Sequence, residues 1–376
     1  MKENLEEMQK IGIKIPVLLG GAALTKNFVD EYCRTIYDGD IFYCRDAFDG
    51  VIAMQRIEKG GELDTRLPAD LIQIIDTSDK IDKEEVEIPP YEEIAMPKRE
   101  FVVPPYWNRV AKKGDEIDRE LIFSWINHRV LFRQRWGYKR GKQTPEAFMK
   151  YEKDVVEPIY ESLKEELINK KIHEPISILS YFPCISHDNK LYIFDKKYHF
   201  NNLEEAKNVP PLEEAIKVME FPRQRRKPFR CIADFFASDR LDVVGFTLAS
   251  AGLKISDYER EFYNKGEFTK YYQVHGLGVE LAEALAEVLH KQIRLDWNIV
   301  PKEGHKLSDV QMKQYVGCRY SPGYAACPDL SQNRDIFDLL NPEEFGIELS
   351  ETFQMHPEQT TCAIVVTHKE ANYYNI

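Results

Sequence analysis

The residues best suited to chemistry in this chain sit close together, in one short loop. Cys318–Pro328 reads CRYSPGYAACP. Pro322, Gly323 and Pro328 rule out a helix interior, and so many turn residues rule out a central strand. Arg319 presents its donors as a rigid fork that fits a carboxylate in bidentate fashion. Tyr324 offers a face on which a heterocycle can stack or a cation can rest. The backbone around Pro322-Gly323 offers polar groups to an adenine edge or a carboxylate. Together these are the demands of an amino-acid nucleoside such as S-adenosylmethionine. The same residues also make a surface loop with a salt-bridged arginine, and from this evidence both readings stand.

Other candidates carry less. Gly20-Gly21, after the apolar run Ile15–Leu19, lets a ligand approach the backbone, but a tight strand-to-helix turn reads equally well. No GxGxxG follows a strand, and the nine histidines show no metal-ligand spacing. Glu287 and His290 stand three apart on a helical pattern and read as a solvated face. No GxSxG occurs, and Cys184 in YFPC has no visible base partner. Gln224-Arg225-Arg226-Lys227 reads as a solvated turn, and Tyr373-Tyr374 as core edge or aromatic wall. No catalytic residue and no metal ligand is assigned.

These groups need elements to position them. Residues 1–59 alternate helical spacing (Leu5, Met8; then Thr25–Ile36) with short apolar runs (Ile15–Leu19, Ile41–Tyr43), the pattern of a parallel α/β domain. That is about half the usual number of elements, so the chain reads as starting inside a domain. Residues 60–105 hold Pro68, Pro89-Pro90, Pro97 and Pro104-Pro105 with little periodicity, and read as a linker. From Tyr106 on, helical patterns (Glu116–His128, Pro145–Ile168, Gly278–Arg294) mix irregularly with strand-like runs (Ile176–Phe182, Leu191–Phe194, Val243–Ala249, Ala363–Thr367). That mixture predicts an α+β domain with an antiparallel sheet over 106–376.

Composition bounds the function. The chain has 376 residues and a net charge of −12, which opposes binding to a phosphate backbone. Seven scattered cysteines without a CxxC pair suit a reducing cytoplasm. No signal peptide and no apolar run near 18 residues is present, so neither secretion nor membrane insertion is expected.

The blocks RYSPGYAACP and IFDLLN resemble the S-adenosylmethionine-binding loop of the activation domain in the cobalamin-dependent methionine synthase family. The resemblance extends through INHRVLFRQRWGYKRG, YFPC, FPRQRRKPFRCIADFF, VVGFTLASAG, ELAEALAEVLHKQIR and NYYNI, in the family's order across 106–376. IPVLLGGAALT and YCRDAF look like the end of that family's cobalamin-binding domain, a Rossmann-like α/β unit. The resemblance implies that Arg319, Gly323 and Tyr324 contact S-adenosylmethionine, with Tyr373 and Tyr374 beside them and Glu283 on a helix lining the site. Asn127 stands where the family often has an Asp touching the ligand, so an amide replaces a carboxylate. Gly20, Gly21 and Ala47 match cobalamin contacts.

The family's cobalt-binding DxHxxG motif is absent from this sequence, as are its zinc-homocysteine and folate modules. The chain is thus expected to be a fragment, a mis-assigned start or one member of a split enzyme. The resemblance implies methyl transfer to homocysteine giving methionine in the whole enzyme. This part would perform reductive methylation of oxidised cobalamin, with a reductant such as flavodoxin and a cobalamin-bearing domain or corrinoid subunit as partners. A free-standing S-adenosylmethionine-binding partner of a corrinoid protein, or an inactive truncated fragment, are the alternatives. Such a task needs positioning more than proton transfer, consistent with the missing catalytic dyad.

Overall fold

The computed structural model describes residues 2–20, 26–44, 50, 53–54, 57, 88–299, 307 and 315–374. The chain divides into two compact units, Met1–Glu84 and Glu85–Ile376.

In the first unit a helix, Lys2–Lys10, precedes strand β1, Val17–Gly20. A helical stretch follows (Lys26–Phe28, Val29–Cys33, Arg34–Ile36), then strand β2, Ile41–Cys44. β1 and β2 pair in parallel from Val17↔Ile41 to Gly20↔Cys44. Leu5, Leu19, Val29, Cys33, Tyr37 and Ile41 pack between helices and strands. The alternation read from the sequence is therefore present as a two-stranded parallel pair among the described residues. A Cβ on Gly20 would lie 2.5 Å from the Cys44 carbonyl oxygen, so the approach of β2 alone accounts for that glycine. Gly21 and Ala47 lie outside the described residues.

The second unit is built on an antiparallel sheet, as the mixed pattern predicts. Its strands are β3 (Val110–Lys113), β4 (Ile176–His187), β5 (Lys190–Ile193), β6 (Lys217–Glu220), β7 (Asp242–Ser250) and β8 (Cys318–Tyr320). A small hairpin, β9 (Glu348–Leu349) with β10 (Met355–His356), precedes the last strand, β11 (Thr360–Val366). The order is β6-β5-β4-β7-β11-β8, with β3 also beside β4. Along β4, β7 and β11 alternate residues divide between two cores. Leu179, Tyr181, Val243 and Val365 face one, and Ile178, Phe182, Val244 and Ile364 face the other. With both faces covered, these strands read as continuous apolar runs. Pro183 is tolerated mid-strand because β4 changes neighbours around it. β3 pairs with Ile176–Leu179, β5 pairs with Cys184–His187, and the missing N–H falls between them.

One helix of 29 residues, Phe268–Asp296, covers the first face. The sequence pattern started it only at Gly278, because Gly276 and Gly278 read as breakers. Both are close-approach positions. A Cβ on Gly276 would lie 3.0 Å from Trp136, and one on Gly278 would lie 2.8 Å from Ile255. Further along, Asp296 accepts hydrogen bonds from the Tyr106 and Tyr181 hydroxyls, each at 2.8 Å. The helix Gln332–Leu340 lies in the second core.

The stretch expected as a linker binds to this unit from Ile88 onward. Arg99 forms a double bond pair with Asp242 (Nε–Oδ2 2.6 Å, Nη2–Oδ1 3.2 Å) and donates to the Thr367 carbonyl at 3.1 Å. His368 Nε2 lies 3.0 Å from the Lys98 carbonyl oxygen. Arg230 donates to Glu370 at 2.7 Å and 2.5 Å to the Ala95 carbonyl. Prolines gave this strap a linker's composition, while its fixed charges hold it in place.

The Arg99–Asp242 pair is almost fully buried, with side-chain exposures of 6% and 2%. Removing one partner strands the other charge in a dry site, although the Ala237 and Val243 amides still bond Asp242. Arg99→Met should therefore destabilise the protein by about 3 kcal/mol, the low end for a broken buried pair. Urea unfolding of both proteins measures this, and a loss below about 1 kcal/mol would put the pair in the class of surface ion pairs.

Candidate functional site

Three elements converge on Arg319. β8 carries it at the sheet edge, paired with β11 through Val365↔Arg319. Its Nη2 lies 2.9 Å from Glu287 Oε1 and 3.8 Å from Glu283 Oε2, both on the long helix. Nη1 has no hydrogen-bond partner among the described residues. The arginine is thus part of a charge cluster and not a lone surface residue. Burial opposes its charge, but Glu287 and then Glu283 outweigh that and hold its pKa above the ordinary value.

The turn beyond β8 closes on itself. Gly323 N–H donates to the Cys327 carbonyl at 2.8 Å, and Cys327 N–H returns a bond to the Tyr324 carbonyl at 2.9 Å. Gly323 has φ +89°, which a Cβ-bearing residue rarely adopts, and a Cβ there would meet Leu330 at 2.9 Å. Beneath the turn, the Cys327 thiol lies 3.2 Å from Gln332 Oε1, and Gln332 Nε2 bonds the Glu220 carbonyl at 2.7 Å. This anchored turn leaves the Tyr324 side chain 58% exposed.

Tyr320 connects the loop to the end of the chain. It is fully buried, and its hydroxyl donates to the Asn372 carbonyl at 2.9 Å. Its ring lies 6.1 Å from those of both Tyr373 and Tyr374. Tyr373 remains 48% exposed. Tyr374 packs against the second core with its hydroxyl buried. Of the aromatic pair, Tyr373 is therefore the exposed ring and Tyr374 the core edge.

Asn127 reaches the same helix one turn away. Its Oδ1 caps the helical turn His128–Val130, accepting from Val130 N–H at 3.2 Å. That use of the oxygen competes with any ligand contact. The adjacent helical run places Arg135 Nε 3.6 Å from Glu280 Oε2. Glu280 is 4% exposed. Burial pushes its carboxyl up to about 7, against the pull of Arg135, with Glu283 adding to the rise and the Asn127 backbone opposing.

The structure therefore pairs Arg319 with Glu283 and Glu287, carries Gly323 and Tyr324 in the turn that follows, and packs Tyr373 on Tyr320; Asn127 approaches the long helix at Glu280. Sequence reasoning missed Glu280, Glu287, Arg294, Arg135 and Tyr320. The solvated face read for Glu287 and His290 is overturned: His290 is fully buried, and the Glu287 side chain is 17% exposed against Arg319. The available signal was spacing. Glu280, Glu283, Glu287 and Arg294 recur at three, four and seven residues, one face of a helix.

Residues 124–376 match the family described as vitamin B12 dependent methionine synthase, activation domain. Methionine synthase of Mycobacterium tuberculosis (strain ATCC 25618 / H37Rv) is 34% identical over 422 aligned positions, covering 100% of this chain and 33% of that protein. Methionine synthase of Mycobacterium leprae (strain TN) is 32% identical over 417, with the same coverage. The chain thus spans about a third of the length of these curated relatives. The crystal structure of the MetH reactivation domain bound to AdoHcy superposes with a TM-score of 0.60 at 23% identity, covering 73% of this chain and 83% of that one.

Glu280 gives the site a pH signature. A carboxyl raised to about 7 in the fold holds its proton more tightly there than in the unfolded chain, where it titrates near 4.5. Its stabilising contribution is complete below pH 4.5 and is lost as pH rises through 7. Between pH 5 and 8 the protein should lose about 1–3 kcal/mol of stability through this group. Urea midpoints across that range, compared with Glu280→Gln, test it. The variant should show a flatter profile, and parallel profiles would rule the assignment out.

Proposed function

The chain belongs to the vitamin B12 dependent methionine synthase activation-domain family, and on that premise we propose that it binds S-adenosylmethionine for reductive methylation of cobalamin. One observation carries this reading. Arg319, held by Glu287 and Glu283, leads into the anchored turn that leaves the Tyr324 ring exposed. A carboxylate-binding cation, an acidic edge and aromatic faces are the complement of an amino-acid nucleoside.

The roles follow from the chemistry of each group. Arg319 takes the ligand carboxylate. Glu283, whose side chain is 39% exposed, offers a carboxylate to the ammonium end. Tyr324 and Tyr373 cover the adenosine, and the Gly323 turn fixes the distance between Arg319 and Tyr324. Asn127 approaches from the far side with an amide already engaged as a helix cap. When bound, S-adenosylmethionine supplies a methyl group on a sulfonium, whose positive charge makes the thioether a good leaving group. No proton moves in that transfer, so the chain's residues need only bind and orient the donor.

The residues of this chain do not fit a complete corrin site. No DxHxxG is present, and of Gly20, Gly21 and Ala47 only Gly20 is described, with a packing reason of its own. We therefore assign cobalamin to partner domains or a corrinoid subunit, and the reduction to a partner such as flavodoxin. In this division, 1–59 is the cobalamin-domain portion, 60–105 the connection and 106–376 the activation domain. Methyl transfer to homocysteine, giving methionine, belongs to the whole enzyme, in the cytoplasm. Among the described residues no helix is long and apolar enough to cross a membrane.

Arg319→Ala tests the carrying observation. Losing a charge-assisted pair should cost about 2–3 kcal/mol, roughly 30- to 150-fold in affinity. Titration calorimetry of the full chain with S-adenosylmethionine measures this, and equal affinities for wild type and variant refute the reading.

A further inference from the structure

Two arginines of the second unit are held in opposite ways. Arg223 spends every donor on protein. Nε and Nη2 bond Asn189, Nη1 bonds the Phe229 carbonyl, and Nη1 and Nη2 grip Asp234 at 2.6 and 2.7 Å. Arg319 makes one close ion pair, Nη2 to Glu287 at 2.9 Å, and its Nη1 has no hydrogen-bond partner among the described residues. The first pattern is that of a closed structural pair. The second fixes a guanidinium by one corner and leaves donor capacity unspent.

Glu287 also lies in the field of a second arginine. Arg294, seven residues further along the same helix face, is fully buried and stacks on the Tyr315 ring, 4.7 Å from its centroid. None of its three nitrogens has a hydrogen-bond partner among the described residues. Burial lowers its pKa to about 10, with Glu287 the first of the opposing influences. The cluster thus holds two guanidiniums, Arg294 and Arg319, and two carboxylates, Glu287 and Glu283. Glu283 lies at the more open edge, 3.8 Å from Arg319. A single close carboxylate holds Arg319 by Nη2, and the unspent donor at Nη1 remains for an anionic group on the ligand.

We propose that Glu287 is the positioning residue for Arg319, fixing the guanidinium where it recognises the carboxylate end of the ligand's amino-acid moiety. This role rests on the S-adenosylmethionine reading. An arginine released from its partner regains rotamer freedom, which the ligand must then remove on binding. Gln at 287 keeps an acceptor oxygen in the same place, whereas Leu keeps none.

The test uses the full chain as wild type, Glu287→Gln, Glu287→Leu and Arg319→Ala. Each is titrated with S-adenosylhomocysteine and with 5′-deoxy-5′-methylthioadenosine, which has the nucleoside and thioether but no amino-acid end. Glu287→Leu should lose about tenfold or more on S-adenosylhomocysteine, and Glu287→Gln should stay within about threefold of wild type. All four proteins should bind methylthioadenosine alike, which also reports that the variants are folded. Equal losses on both ligands would make Glu287 a support of the fold, and no loss on either would leave it without a role; both results overturn the proposal. If Arg319→Ala weakens S-adenosylhomocysteine while Glu287→Leu does not, the ligand reading survives and the positioning role falls. If wild type binds neither ligand, the S-adenosylmethionine reading fails and takes this role with it.

Discussion

A guanidinium removed from water must be met by a carboxylate or by an equivalent set of acceptors, and this constraint organises the second unit. Arg99 meets Asp242 and ties the strap before the domain to the first residue of β7. Arg223 meets Asp234 and closes the turn beyond β6. Arg319 meets Glu287 and joins the sheet edge to the long helix. Each pair links segments that the apolar cores alone would leave free to slide, because hydrophobic packing is non-directional and a charge pair is not. Arg294 departs from the rule. It is covered by an aromatic ring and lies in the field of Glu287, with no hydrogen bond among the described residues.

The long helix makes this arrangement possible by serving two layers at once. Its apolar stripe, through Leu277, Leu281, Leu285 and Ile293, covers the sheet. A second face carries Glu280, Glu283, Glu287 and Arg294 toward β8 and the run ending at Arg135. Neither set can be changed independently of the other. A glutamate moved by one position rotates about 100° from its partners.

That double use also explains how far the sequence could be read. Strands β4, β7 and β11 were legible because apolar runs bounded by turn residues are short-range signals. The turn after β8 was legible too, since Pro322 and the positive-φ Gly323 act locally. The glutamates were not. On a helix written out alone, Glu287 and His290 fall off the apolar stripe, and nothing local says that another element covers them. β8 supplies that cover from 28 or more positions away in sequence, and periodicity is blind to such partners. The attachment of the strap was not legible for the related reason that prolines report on local stiffness, whereas Arg99 finds its partner at Asp242.

The end of the chain shows how position at the site is inherited from distant contacts. Tyr373 has little of its own to fix it, being almost half exposed. Its backbone neighbour Asn372 is held by the Tyr320 hydroxyl, Glu370 by Arg230, and the Thr367 carbonyl by Arg99. Two of those three partners are buried side chains, and two also bond other segments, Arg99 through Asp242 and Arg230 through the Ala95 carbonyl. The strap, β7 and β8 therefore determine jointly where Tyr373 stands relative to Tyr324. A ring placed in this way rests on Tyr320 and keeps almost half of its surface open. Had the ring been fixed by burial instead, the surface that ordered it would no longer have been available to a ligand.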